Sequence, residues 1–132
     1  MASDHMFAHR IVPVVVVDDA ATARPLAEAM VAGGLPVAEV TFPTAAAPDA
    51  IRAMRDVPGL ILGAGTVVTP EQARQAADCG ATFLVSPGLR PDVVETAHAL
   101  GLPILPGCVT PTEIMQAQSY GLDVVKFFPA NV

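Results

Sequence analysis

Gly59-Leu60-Ile61-Leu62-Gly63-Ala64-Gly65-Thr66-Val67-Val68-Thr69-Pro70-Glu71-Gln72-Ala73-Arg74-Gln75-Ala76-Ala77-Asp78-Cys79-Gly80 is one complete repeat of a strand followed by a helix. The run from Leu60 to Ala64 has no polar alternation, which suits a strand covered on both faces. Thr69 places a capping hydroxyl before Pro70, and proline is favoured in the first helical turn. Glu71 then complements the positive end of the helix dipole. The alanine-rich stretch stops at Gly80, a residue suited to the left-handed position just past a helix end.

The same unit recurs about every twenty residues along the chain. Gly34, Gly59, Gly80, Gly101 and Gly121 precede the apolar runs Val37 to Phe42, Leu60 to Ala64, Thr82 to Val85, Pro103 to Leu105 and Asp123 to Phe127, and Ile11 to Val17 makes a sixth. Thr110-Pro111-Thr112-Glu113 repeats the helix start seen at Thr69. Repetition of strand and helix implies a parallel α/β sheet with right-handed crossovers, either doubly wound or a (βα) barrel. Small and polar residues gather at the C-terminal ends of the runs, in Glu39 and Thr41, Gly63 to Thr66, Ser86 to Gly88, Pro106 to Thr110, and Lys126. That habit favours the TIM-type barrel, whose sites are built on that face. Six units fall two short of eight, so the expected fold is an incomplete barrel of about six parallel strands with unpaired edges at the first and last.

With 52% hydrophobic and only 15% charged residues, the 132-residue chain is committed to a packed core rather than disorder. Residues 7–132 are expected to form a single partial barrel. Residues 1–6 are set aside as a leader, because His5-Met6 resembles a cloning scar before a native start. The apolar stretch from Val12 to Val17 is too short to cross a bilayer, so no membrane association is expected. A net charge of −6 without a basic run disfavours nucleic acid. Cys79 and Cys108 form no close pair or ligand cluster, and no secretory signal precedes them, which points to a reducing, cytoplasmic setting. His9 and His98 lack partners at metal-ligand spacing, and neither metal nor cofactor is expected.

The chain has a single lysine, Lys126, inside the apolar run Val124-Val125-Lys126-Phe127-Phe128-Pro129. An amine buried in a strand is costly as a cation, so a neutral amine becomes available to attack a carbonyl and form a Schiff base. The alternative is a lysine reaching from a short edge strand into water. The sequence alone leaves both open.

Gly33-Gly34-Leu35-Pro36-Val37-Ala38-Glu39-Val40-Thr41-Phe42, Gly63-Ala64-Gly65-Thr66-Val67, Val85-Ser86-Pro87-Gly88, Pro106-Gly107, Thr110-Pro111-Thr112-Glu113 and Lys126-Phe127-Phe128-Pro129-Ala130 together resemble the successive strand-end motifs of the KDPG/KHG aldolase family. The resemblance extends over essentially everything after the leader. It implies a (βα)8 barrel lineage, usually trimeric, and a class I aldolase that cleaves 2-keto-3-deoxy-6-phosphogluconate to pyruvate and glyceraldehyde 3-phosphate, or acts on 4-hydroxy-2-oxoglutarate. By position, it makes Lys126 the Schiff-base lysine, Glu39 the proton-transfer carboxylate and Thr66 a hydroxyl for the pyruvyl carboxylate. Thr66 can equally cap the following helix, and Glu39 can simply neutralise the lysine. Gly63 and Gly65 read as a close backbone approach to ligand or a sharp strand exit. Phe128 and Pro129 are expected to wall the site, and Pro87-Gly88 and Pro106-Gly107 to be strand-end turns.

Two departures from the family pattern stand out. Pro43 occupies the position where many members carry an arginine that grips the substrate carboxylate, leaving Arg10 as a substitute cation. The glycine-rich phosphate loops of the last two βα units have no counterpart here. The alternative reading is therefore a catalytically impaired fragment that self-associates through its exposed edges, making a homo-oligomer the expected partner besides a 2-keto acid.

Overall fold

The computed structural model describes residues 2–132. Helix α1 (Ala2–Phe7) leads to β1 (Val14–Val15), and a 3-10 turn (Ala20–Thr22) opens α2 (Ala23–Ala32). Then follow β2 (Val37–Thr41), α3 (Ala47–Met54), β3 (Ile61–Gly65), α4 (Pro70–Cys79), β4 (Phe83–Ser86), α5 (Pro91–Ala99), β5 (Ile104–Cys108), α6 (Pro111–Ser119) and β6 (Lys126–Phe127). Every neighbouring pair is parallel, and the strands lie in the order β1-β2-β3-β4-β5-β6. A doubly wound sheet reverses its strand order at a switch point, whereas a barrel adds each strand beside the last. The unbroken order makes this an arc of a (βα) barrel.

Local sequence explains the element boundaries. The Thr69 hydroxyl accepts from the Gln72 backbone N–H at 3.2 Å, while the Gln72 side chain accepts from the backbone N–H groups of Val68 and Thr69. Thr110 and Glu113 form the same reciprocal box at α6. The five punctuating glycines all adopt positive φ, from 69° at Gly101 to 115° at Gly80.

The two end strands are shorter than their apolar runs. Each has one neighbour among the described residues, so Ile11 to Val17 yields only Val14–Val15 and Asp123 to Phe127 only Lys126–Phe127. By contrast, β5 continues through Pro106-Gly107, a pair that reads in sequence as a turn. Pro106 stays in register with Ser86, and the absent side chain at Gly107 leaves room for the Pro87 carbonyl to lie against it.

Alternation along each strand divides the interior into two layers. Ala38 and Val40 of β2 face the helices and join Ile51 and Met54 of α3 and Val93 and Val94 of α5 in the main core. Val37 faces the concave side, where it clusters with Phe83, Val85 and Met6. The leader 1–6, excluded from the fold by the sequence reading, thus supplies a core residue: Met6 is 1% exposed on this floor, partly covered by Phe7. A Cβ at Gly63 would collide with the Phe83 ring, so this glycine makes room for an aromatic side chain rather than a ligand. Among the described residues no helix is long and apolar enough to cross a membrane.

Thr69→Ala removes the cap of α4 and leaves the Gln72 N–H unpaired. The expected result is a loss of about 1 kcal/mol in unfolding free energy, measured by urea denaturation with an unchanged slope.

Candidate active site

Three strands separate β2 from β6, and in a flat sheet with neighbours about 4.8 Å apart they would stand about 19 Å from one another. Instead, the Lys126 Nζ lies 3.7 Å from Glu39 Oε1. Curling of the sheet and the reach of two long side chains close the gap across the concave face. Register fixes the two bases of the pair: Glu39 lies beside Val14 and Gly63, and Lys126 beside Gly107. The Glu39 backbone is further tied to β1 by its N–H, which donates to the Pro13 carbonyl at 2.9 Å.

The pair borders an apolar cavity of about 230 Å³ formed with Met6, Val12, Val14, Val85 and Leu105. The sequence leaves open whether the lysine is buried or reaches water; in the structure the carboxylate is the deeper partner, with side-chain exposures of 6% for Glu39 and 29% for Lys126. Burial pushes the Glu39 carboxyl above its ordinary 4.5, and the nearby Lys126 charge offsets only part of that rise. The Phe128 ring centroid lies 4.9 Å from Nζ, a favourable position for a cation over an aromatic face. Phe128 therefore does border the amine, while Pro129 is exposed.

Thr66 follows the last residue of β3 with φ of 56° and does not line the cavity beside Lys126. A left-handed backbone is unusual for a β-branched residue and carries strain that tertiary structure must hold. Thr66 does not cap the next helix, a task performed by Thr69. Gly65 meets a protein side chain: a Cβ there would overlap the Glu39 carboxyl group.

Among the described residues, no cation other than Lys126 lines the cavity to stand in for the family arginine replaced by Pro43. Pro43 is exposed in the turn after β2. Arg10, considered as a substitute cation, sits before β1 with its N–H donating to the Phe7 carbonyl at 3.0 Å, at the end of the sheet opposite the strand C-termini. Sequence reasoning did not find the cavity's other walls, Met6, Val12, Val14, Val85 and Leu105. Inward parity identifies Val85 and Leu105 once the strands are known, but Met6 carries no local signal.

The sequence pattern of the KDPG and KHG aldolase family matches residues 3–132. The 2-dehydro-3-deoxy-phosphogluconate aldolase of Treponema pallidum (strain Nichols) is 48% identical over 93% of this chain and 59% of its own length. The crystal structure of the 2-keto-3-deoxy-6-phosphogluconate aldolase of Zymomonas mobilis ZM4 with 3-phosphoglycerate superposes with a TM-score of 0.92 at 44% identity, over 98% of this chain and 62% of that one. The KDPG aldolase of Legionella pneumophila, with pyruvate captured as a covalent carbinolamine, gives a TM-score of 0.92 at 35% identity, over 98% and 64% of the two chains. The chain thus spans about three fifths of the length of the curated relatives it matches, 59% and 58% for two of them.

A carboxyl raised by burial holds its proton more tightly in the folded than in the unfolded chain. Its contribution favours the fold below 4.5 and is lost as pH rises through the raised value. Glu39→Gln should therefore raise Tm at about pH 7, with the difference from the parent narrowing toward about pH 4. Thermal melts at both values check this; a lower Tm for the variant at neutral pH would mean that attraction to Lys126 outweighs burial.

Proposed function

The chain belongs to the KDPG and KHG aldolase family, and from that premise we propose that Lys126 and Glu39 form the reacting pair of a Schiff-base aldolase acting on 2-keto acids. The observation that carries the reading is the single lysine meeting a buried carboxylate at 3.7 Å across the concave face. The substrates are 2-keto-3-deoxy-6-phosphogluconate, cleaved to pyruvate and glyceraldehyde 3-phosphate, or the related 4-hydroxy-2-oxoglutarate. The reading carries with it a cytoplasmic setting, in keeping with two free, separately buried cysteines, Cys79 and Cys108.

The chemistry needs an amine nucleophile and a group that moves protons beside it. Lys126 must give up a proton before its lone pair can add to the keto carbon, and solvent takes it at an amine that is 29% exposed. Addition gives a carbinolamine; its hydroxyl takes a proton from solvent and leaves as water, which gives the iminium and keeps Glu39 ionised. Glu39 then accepts the proton of the hydroxyl on C4 as the C3–C4 bond breaks. The bonding pair flows into the iminium to make an enamine, and the aldehyde departs. Protonation of C3 and hydrolysis of the imine release pyruvate and restore the amine. A carboxyl raised from 4.5 toward the working pH suits both accepting and returning protons. Thr66 supplies a hydroxyl to the pyruvyl carboxylate in this scheme, from the exit of β3.

A second reading, self-association, is favoured by the apolar surface at both ends of the sheet. Val14 of β1 and Val16 just after it are 58% and 61% exposed, and Phe127 of β6 is 56% exposed. Unpaired edges with exposed apolar residues invite pairing with another copy. Sedimentation equilibrium should give a mass above 13.6 kDa at micromolar concentration, and Val16→Lys should shift it toward the monomer; a monomer throughout would remove this reading.

Incubation with pyruvate and borohydride, read by intact mass and peptide mapping, tests the first proposal. One reduced pyruvyl adduct should map to Lys126 and vanish in Lys126→Ala. Glu39→Gln should keep the adduct while cleavage of the full substrate falls about 10²- to 10⁴-fold. No adduct at Lys126 in the folded chain would overturn the assignment.

A further inference from the structure

We propose that Gly65 is a positioning residue for the proton-transfer step, its missing side chain being the space that holds the Glu39 carboxylate within reach of Lys126; the inference rests on the role given above to Glu39. A Cβ built at Gly65 would fall within 2.7 Å of the Glu39 Cδ and 2.6 Å of its Cγ, and closer still to Oε1. Contacts this short are not tolerated, so one of the two must move.

The backbone of β3 has no freedom to retreat. Gly65 is in register with Thr41, its carbonyl accepts from the Phe42 N–H at 2.9 Å, and the nearby Val67 N–H is tied to the Val85 carbonyl at 3.1 Å. Gly65 also has an ordinary negative φ, since it is absent from the positive-φ glycines, so alanine there introduces no backbone strain. What yields is the Glu39 side chain. Its own backbone is held by β1 and β3, which leaves rotation about the side-chain bonds. On the β3 side, Gly65 carries the new methyl group. On the other side lies β1, where Val14 is 58% exposed. The carboxylate therefore swings toward the open edge and away from the amine. Gly63 differs in kind, because its missing Cβ makes room for Phe83 in the floor rather than for a reacting group.

The consequence separates two half-reactions that share one site. Lys126 sits on β6, and the three atoms nearest a Cβ at Gly65 all belong to Glu39, so covalent capture of pyruvate should survive Gly65→Ala. Proton movement at C3 of the enamine, which needs Glu39 in place, should not.

The test follows the pyruvate methyl signal by proton NMR in D2O, with borohydride trapping run in parallel on the full chain and its Glu39→Gln, Gly65→Ala and double variants. We expect Glu39→Gln and Gly65→Ala each to slow deuterium exchange by at least tenfold while both retain the adduct, and the double variant to be no slower than Glu39→Gln alone, since both changes remove the same function. Retained exchange in Gly65→Ala, with exchange lost in Glu39→Gln, would overturn the role of Gly65 and leave that of Glu39 intact. Retained exchange in Glu39→Gln would instead overturn the reading on which the inference rests. Loss that multiplies in the double variant would show that Gly65 acts independently of the carboxylate and would also overturn the proposal. A Gly65→Ala chain whose trapping falls with its exchange would show general damage to the site and count against it, and Gly63→Ala serves as the control for disturbing the floor.

Discussion

The contact between Lys126 and Glu39 ties the last strand to the second across the concave face, and the rest of the structure is arranged around it. Neither residue reaches the other in a flat sheet. The parallel, sequential order of six strands supplies the curl, and the inward parity of β2 and β6 aims both side chains into the same space. Room for the pair comes from omission. Gly65 leaves the volume in which the carboxylate lies, Gly63 admits Phe83 to the floor below, and Gly107 lets the Pro87 turn close over the strand beside the lysine.

This arrangement costs stability. A carboxylate 6% exposed in a largely apolar setting loses more hydration than its partner restores, which is why burial dominates its raised proton affinity. Thr66 adds a second local cost through its left-handed backbone. Glu39 lies on the concave side of the sheet, whereas the alanine-rich helices and the outward residues of the strands form a separate core. The two layers divide the work: one holds the arc together and the other is free to carry groups that packing alone would reject.

Much of this was legible in the chain. The glycine, strand, small-residue exit and Thr-Pro helix start are local signals, and local chemistry fixes them: the capping boxes at Thr69 and Thr110 and the positive-φ glycines fall where the residues place them. The pairing of Lys126 with Glu39 was legible as a family resemblance and as one isolated amine in an apolar run. Which partner is buried was not, because burial depends on curvature and on what covers each residue from other elements. Met6 was missed for the same reason, since nothing in a short leader announces that it will lie under Val37 and Phe83. The end strands are shorter than their apolar runs because a ladder needs a neighbour, and strand length is a property of the pair rather than of the segment. Thr66 was correctly placed at a strand exit, yet the capping alternative failed once Thr69 was seen to fill that position.

The account stands on the carboxylate of Glu39 facing a carbon attached to Lys126. A crystal structure of the chain soaked with pyruvate measures that relation directly. The account predicts continuous density from the Lys126 Nζ to C2 of the pyruvyl group, with a Glu39 oxygen within hydrogen-bond reach of the adduct, directly or through one water. Pyruvate joined to Lys126 with Glu39 turned toward β1 and out of reach, or no density on the lysine at all, would contradict it.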